Sequence, residues 1–354
     1  MGPQIGIALI GAGMIGRRHA EHVAASADAR LVAIVDPFPE AAEVAERHGV
    51  PHFASIADLL AKTRPDGMII ATPNQLHVTH GLEAVAAGIP ALIEKPIADD
   101  PAEGLRLVEA AERASVPLAV GHHRRHNPKI ATAKAIVQSG RLGRIATVHA
   151  SFWIRKPDAY FDVAWRRMPG GGPVLLNLIH DVDLLRHFCG DVTEVRALAS
   201  NAIRGNPVED CCVALLRFAS GALGTVTVSD AVVAPWSWEM TAAENPAYPV
   251  SGEAAFQIGG TLGSLAVPTL DVWSYDGTPG WMNPIAVRRE VAPVLDPLAL
   301  QVAQFCRVIR GEEKPLVSAR EGLKTLVLVA AILKAAAGGN AVRIDGIQIR
   351  EITP

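Results

Sequence analysis

The feature that most constrains this chain is the run Gly11-Ala12-Gly13-Met14-Ile15-Gly16, set between an apolar β-like segment, 6–10, and a helical pattern. Glycines at that spacing have separate geometric roles. Gly11 permits a tight turn off the strand, Gly13 lets the backbone approach a pyrophosphate, and Gly16 lets helix and strand pack closely. The helix N-terminus then faces the phosphate charge. Asp36 ends a second β run, 31–35, where a carboxylate accepts both hydroxyls of a ribose. A glycine turn plus an unrelated capping aspartate is the weaker reading. Asp36 would repel a 2′-phosphate, and Pro37-Phe38-Pro39 supplies no arginine to hold one, so NAD is expected over NADP.

The first 120 or so residues alternate β runs (6–10, 31–35, 68–71, 91–94, 118–120) with helical patterns, which predicts a parallel sheet covered on both faces. Asp100, Pro101 and Glu103 read as an N-cap, a first-turn proline and a capping-box partner. Gly88 and Gly140 stand where helices end. Beyond residue 122 the rhythm changes. A helix over 127–139 precedes β segments at 145–155, 212–218, 222–230 and 254–258, separated by loops rich in Gly, Pro and Trp. That pattern predicts a largely antiparallel sheet with one face covered. Helices at 298–310 and 319–337 close the chain, the second capped by Ser318 with Glu321 three residues on. At 354 residues the chain exceeds the size at which single cores stop growing. The expected division is a Rossmann domain, 1–121, and an α/β domain, 122–354, for substrate binding and oligomerisation, its last helices packing back on the first domain.

A net charge of −3 gives no reason to expect nucleic acid or an anionic membrane as partner. The first ten residues lack a basic region before their apolar stretch, so no signal peptide is expected. The apolar helix at 323–337 carries Lys324 and Lys334 and is shorter than the roughly 20 residues needed to span a bilayer. Cys189, Cys211, Cys212 and Cys306 show no C-x-x-C spacing, which fits reduced structural thiols in a cytoplasmic protein.

Two more loops leave the carboxyl ends of strands, where doubly wound sheets bind ligands: Thr72-Pro73-Asn74-Gln75-Leu76-His77 and Glu94-Lys95-Pro96. Candidate cofactor-binding residues are therefore Gly11, Gly13, Met14, Ile15, Gly16, Asp36, Thr72, Pro73, Asn74, His77, Glu94, Lys95 and Pro96. A lysine after a strand is often a solvated surface residue. Between Glu94 and Pro96, Lys95 is better read as a site residue, because the proline confines its backbone to extended conformations.

The GAGMIG turn, the ATPNQLH loop, the EKP triplet and the later GGGP…HDVDLLR stretch resemble, in order and approximate spacing, the glucose–fructose oxidoreductase, inositol dehydrogenase and rhizopine-catabolism (Gfo/Idh/MocA) family. The resemblance covers essentially the whole chain. It implies an α/β fold: an N-terminal doubly wound Rossmann sheet, then an α+β domain on a large open, mainly antiparallel sheet. It implies that Lys95 takes part in proton transfer, that the Lys95–Pro96 bond is cis, and that His180 is the active-site histidine. Many relatives carry an aspartate four residues before that histidine. Here the position is Leu176, and the nearest polar group is Asn177. On a regular helix Asn177, His180, Asp183 and Leu184 share a face, which makes Asn177 a substrate-binding candidate.

The GHHRRHNP segment lies where relatives have a G-(aromatic)-N-R-R pattern, so the resemblance puts His123 in a polar site position. A metal held by His122, His123 and His126 is disfavoured, since no carboxylate or cysteine stands at ligand spacing, and no metal is expected. Trp165 and Arg166 resemble a family element near cofactor and substrate. Arg166 is then a cofactor residue, with Trp165 and Tyr160 toward substrate; a packed tryptophan beside a surface arginine is the alternative.

The activity implied is hydride transfer between NAD and a secondary alcohol or lactol of a sugar, cyclic polyol or related small molecule, with Lys95 and His180 managing the proton. A dihydrodiol or hydroxy-acid dehydrogenase on the same scaffold is one alternative, and no feature favours a glycosidase that uses NAD transiently. A non-catalytic NAD sensor is another, against which Lys95 and His180 argue, since a sensor needs neither. A homodimer or homotetramer is expected because segment 222–228 is mixed rather than clearly polar on its outer face.

Overall fold

The computed structural model describes residues 3–344. Met1 and Gly2, at the head of the segment in which no signal peptide is expected, lie outside the described residues, as does everything after Ile344. In chain order the elements are β1 (Ile5–Ile10), α1 (Met14–Ala24), β2 (Ala29–Val35), α2 (Ala41–Arg47), β3 (His52–Phe53), α3 (Ile56–Leu60), β4 (Gly67–Ile70), α4 (His77–Ala86), β5 (Ala91–Ile93), α5 (Pro101–Ala114) and β6 (Leu118–Val120). Then come α6 (Pro128–Gln138), β7 (Ile145–Trp153), α7 (Ile179–Cys189), β8 (Val192–Ser200), β9 (Cys211–Phe218), β10 (Leu223–Ser229), α8 (Trp238–Thr241), β11 (Phe256–Gly260), β12 (Gly263–Val267), β13 (Asp271–Ser274) and β14 (Ala286–Arg289). The chain closes with α9 (Pro297–Ile309), α10 (Ala319–Gly338) and β15 (Val342–Arg343). Two compact units result: residues 3–126 with 295–326, and residues 127–294 with 327–344.

The first unit is built on a six-stranded sheet of order β3-β2-β1-β4-β5-β6, whose neighbours are all parallel. The strand order reverses between β1 and β4, and a crevice opens there at the carboxyl ends. Strands β1, β4, β5 and β6 are fully buried runs, mostly of Ile, Leu, Val and Ala, as a sheet covered on both faces requires. Ile7, Leu9, Ile34, Ile69 and Leu92 form one core with Val302, Phe305 and Cys306 of α9. Gly67 makes room for α9, because a Cβ there would meet the Ile309 side chain at 2.5 Å. Asp100 caps α5 as expected, accepting from Ala102 N at 2.7 Å and Glu103 N at 3.0 Å, with Pro101 in the first turn. The capping box does not close. Glu103 instead pairs with Arg106 one turn on, at 2.6 Å.

The second unit carries a nine-stranded sheet of order β14-β13-β12-β11-β7-β10-β9-β8-β15. All neighbours are antiparallel except β7 and β10, which run parallel. Strand β9 alternates strictly between buried residues (Cys212, Ala214, Leu216, Phe218) and outward ones (Val213, Leu215, Arg217). On the covered side α7 packs against β7 and α6 against α7 and β12. The opposite face leaves Leu198, Val213, Leu215 and Leu223 exposed. Among the described residues no helix is long and apolar enough to cross a membrane.

Candidate functional site

In the first unit the glycine turn leaves β1 at the crevice beside β4. Gly11 has φ of +94° and sits so close to β4 that a Cβ would meet the carbonyl oxygen of Ala71 at 2.7 Å. A Cβ on Gly16 would lie 2.0 Å from the Gly11 oxygen. Gly13 is different: nothing lies within 4 Å of its missing side chain. Gly11 and Gly16 are thus required by the fold itself, whereas Gly13 keeps open a space that the protein does not fill. Gly13 is also the N-cap of α1, and no side chain caps that terminus, so its N–H groups face the opening together with exposed Met14 and half-buried Ile15. Such a terminus favours an anion.

Asp36 leaves β2 and folds back over this turn. Its Oδ2 accepts from Ala12 N at 2.8 Å and its Oδ1 from Phe38 N at 3.0 Å. A carboxylate has about four acceptor positions, so the backbone bonds orient Asp36 and leave capacity for hydroxyls. His77, buried at the start of α4, bridges two loops: its Nδ1 lies 2.7 Å from the Pro96 oxygen and its Nε2 2.8 Å from that of Thr72. Thr72 Oγ1 contacts His80 Nδ1 at 3.2 Å. Exposed Pro73 and half-buried Asn74 stand at the rim. The open space, the uncapped helix and the oriented carboxylate fit a dinucleotide: Gly11 to Gly16 toward the pyrophosphate and Asp36 toward a ribose.

Lys95, half-buried, follows β5 through a cis bond to Pro96. A feature missed in sequence reading holds the base of that loop. His19 of α1 is fully buried, and its Nε2 lies 2.7 Å from Oε1 of Glu94, while Glu94 Oε2 accepts from the Lys95 N–H at 3.1 Å. Burial pushes the Glu94 carboxyl up, but the His19 hydrogen bond and charge, with His123 and Lys95, outweigh it and bring the pKa down to about 2. His123 therefore belongs to the surroundings of Glu94, on a 3₁₀ turn, His123–His126. His126 is pushed down to about 3, chiefly by burial and then by His123, Arg307 and Arg125. Among the described residues no three His, Cys, Asp or Glu side chains are placed to hold a metal ion.

In the second unit His180 lies in the first turn of α7 and is buried. The regular helical face expected through Asn177 is corrected. Residues Val174–Leu178 form a π-helical turn, and α7 begins only at Ile179. Pro173, which supplies no N–H, enters this turn, and Glu209 Oε1 accepts the Val174 N–H at 3.1 Å. Burial raises the Glu209 pKa above the usual carboxylate range. Asn177 Oδ1 accepts from Lys156 Nζ at 2.9 Å, and Lys156 also pairs with Asp230 at 3.2 Å. Burial lowers the Lys156 pKa, against the opposing pull of Asp230. Arg166 stacks on Tyr160, 4.1 Å from its ring centre, and donates to the Tyr160 backbone oxygen at 2.9 Å; Trp165 is exposed beside it. Arg166 and Tyr160 thus hold each other within this loop. Neither Lys156 nor Asp230 was singled out from sequence, since a lone Lys-Pro step and a strand-end aspartate carry no distinguishing pattern.

A switch-point crevice with a glycine turn, an uncapped helix and an oriented acidic side chain defines a dinucleotide-binding protein of the Rossmann class. Residues 5–122 match the oxidoreductase family with an NAD-binding Rossmann fold, and 130–266 match the GFO/IDH/MocA C-terminal domain. The chain belongs to this GFO/IDH/MocA oxidoreductase family and takes NAD as its cofactor. It is 28% identical over 345 residues to 1,5-anhydro-D-fructose reductase of Ensifer adhaerens, covering 95% of this chain and 98% of that one. It is 32% identical over 238 residues to inositol 2-dehydrogenase of Streptomyces avermitilis, covering 64% and 66%. Among solved structures it resembles the WlbA dehydrogenase of Bordetella pertussis, in complex with NADH and UDP-GlcNAcA, with a TM-score of 0.79, 29% identity, and coverage of 97% and 99%.

Proposed function

We propose that this oxidoreductase oxidises a secondary alcohol or lactol carbon of a sugar, cyclic polyol or related small molecule. The observation that carries the reading is the glycine turn overhung by Asp36, on a chain whose relatives are named for inositol and anhydro-sugar chemistry. When bound, NAD would supply a nicotinamide carbon that accepts a hydride from the carbinol carbon. The protein handles the remaining proton. Lys95 and His180 are the groups for it, and such acid–base assistance contributes about 10²–10⁴-fold. Asn177 and His123 position the substrate, and exposed Trp165 offers a ring face to it, whereas the Tyr160 ring is stacked by Arg166. Asp36, which disfavours a 2′-phosphate, makes NAD the preferred form.

The apolar outer sheet face, with Leu198, Val213, Leu215 and Leu223 exposed, supports a homo-oligomer. The four cysteines are free, and burial pushes Cys189 and Cys212 up to about 12 and Cys306 to about 11, which supports inert structural thiols and a reducing, cytoplasmic setting. The test is NAD reduction, followed by absorbance, against inositols, aldoses, anhydro-sugars and hydroxy acids. Turnover confined to hydroxy acids would replace the polyol reading, and binding of NAD without turnover of any alcohol would refute catalysis.

A further inference from the structure

Asn177 is half-buried in the turn that precedes α7, and its Oδ1 lies 2.9 Å from Lys156 Nζ. An ammonium carries three N–H donors and no acceptor, so the amide atom facing it is the carbonyl oxygen whichever way the amide is drawn. The other directions around Nζ are also taken. Asp230 Oδ2 lies 3.2 Å away, and the centre of the Tyr160 ring 4.8 Å away. Asp230 is held in turn. Its side chain is 2% exposed, Arg204 Nε lies 3.5 Å from its Oδ1, and its backbone oxygen accepts from Arg204 at 2.8 Å. Turning the Asn177 amide over would set two donors against each other beside a buried ion pair and lose the bond. What Asn177 has left to offer is the NH₂ group, and no acceptor among the described residues takes it.

We propose that Asn177 is a fixed hydrogen-bond donor to a substrate oxygen, and that Lys156 and Asp230 are positioning residues that lock it in that role. The inference rests on the polyol-dehydrogenase reading and sharpens it. The group recognised at this point bears a lone pair, as a hydroxyl, carbonyl or carboxylate oxygen does, and a protonated amine there is refused. An aspartate in place of Asn177 accepts only, and so inverts the polarity of the contact while keeping its size.

The test compares Asn177→Asp, Lys156→Met and Lys156→Arg in the full chain with NAD, on whichever of myo-inositol, levoglucosan, D-glucose or D-glucuronate the parent turns over best. Asn177→Asp and Lys156→Met are each expected to lower kcat/KM by about tenfold or more, mainly through KM as for a contact made already in the ground state. NAD affinity is unchanged, and Lys156→Arg recovers part of the loss. Independently of turnover, the Asn177 side-chain amide signal in a ¹⁵N-asparagine spectrum, assigned by its loss in Asn177→Leu, is expected to shift in Lys156→Met. An Asn177→Asp enzyme with the parent's kcat/KM, or an amide signal unmoved by Lys156→Met, overturns the proposal. If the parent turns over none of the four compounds, the polyol reading fails, and the amide spectrum still decides the lock.

Discussion

Replacing Glu94 by glutamine probes the buried pair that anchors the Lys95 loop. Glu94 is 7% exposed and His19 is 0% exposed, so both have left water. Burial alone would make the carboxylate a liability, and buried pairs often do no better than break even. Here the His19 bond and charge win, with help from His123 and Lys95, and the pKa falls from 4.5 to about 2. At 1.36 kcal/mol per pH unit this fall corresponds to about 3 kcal/mol in favour of the ionised folded state. Because the folded pKa lies below the unfolded one, that contribution is complete above the unfolded value of 4.5 and is lost as pH falls toward about 2. Glu94→Gln, which mimics the protonated acid, should therefore unfold about 3 kcal/mol more easily near neutral pH, and parent and variant should converge in acid. All six tryptophans belong to the second unit, so urea unfolding should be followed by far-ultraviolet circular dichroism rather than by tryptophan fluorescence. A variant within about 1 kcal/mol of the parent at neutral pH, the range of an ordinary hydrogen bond, or a gap that does not narrow in acid, would refute the reasoning.

Titration with both oxidised cofactors should show NAD bound more tightly than NADP, with the difference narrowed in Asp36→Ala; equal or tighter NADP binding by the parent would contradict the role given to Asp36. Gly13→Ala should keep the parent's melting temperature, since its Cβ meets nothing within 4 Å, yet weaken NAD binding, whereas Gly16→Ala, 2.0 Å from the Gly11 oxygen, should lower both. Lys95→Ala and His180→Ala should each reduce kcat/KM by about 10² or more while NAD affinity holds; a variant within about threefold of the parent, well short of that range, has lost only a structural residue. Light scattering should give a mass above one chain for the parent and a smaller one for Leu215→Glu, which puts a charge on the exposed apolar sheet face; a monomeric parent would end the oligomer reading.

What the sequence determined by itself is what depends on neighbours along the chain. The turn at Gly11 to Gly16, the caps at Asp100 and Gly88, and the loops at Thr72 and Lys95 each arise from the stereochemistry of a few consecutive residues. Asp36 joins them because a strand and a helix of ordinary length fix its distance from the turn. Strands β8, β12, β13 and β14 escaped notice. The last three are five residues or fewer, and in β8 the exposed Leu198 shares the outward face with Arg196, which blurs its period of two. The π turn before His180 was invisible too: its first N–H goes to Glu209, 35 residues along the chain, a contact that no local pattern announces. Only the tertiary structure decided the pairing of His19 with Glu94, 75 residues apart, and of Lys156 with Asp230, 74 apart. A buried charge has no sequence signature of its own, since its stability depends on which partner the fold carries to it. The chain order alone therefore located the glycine turn and the EKP loop, and folding alone supplied the ion pairs around Lys95 and Asn177.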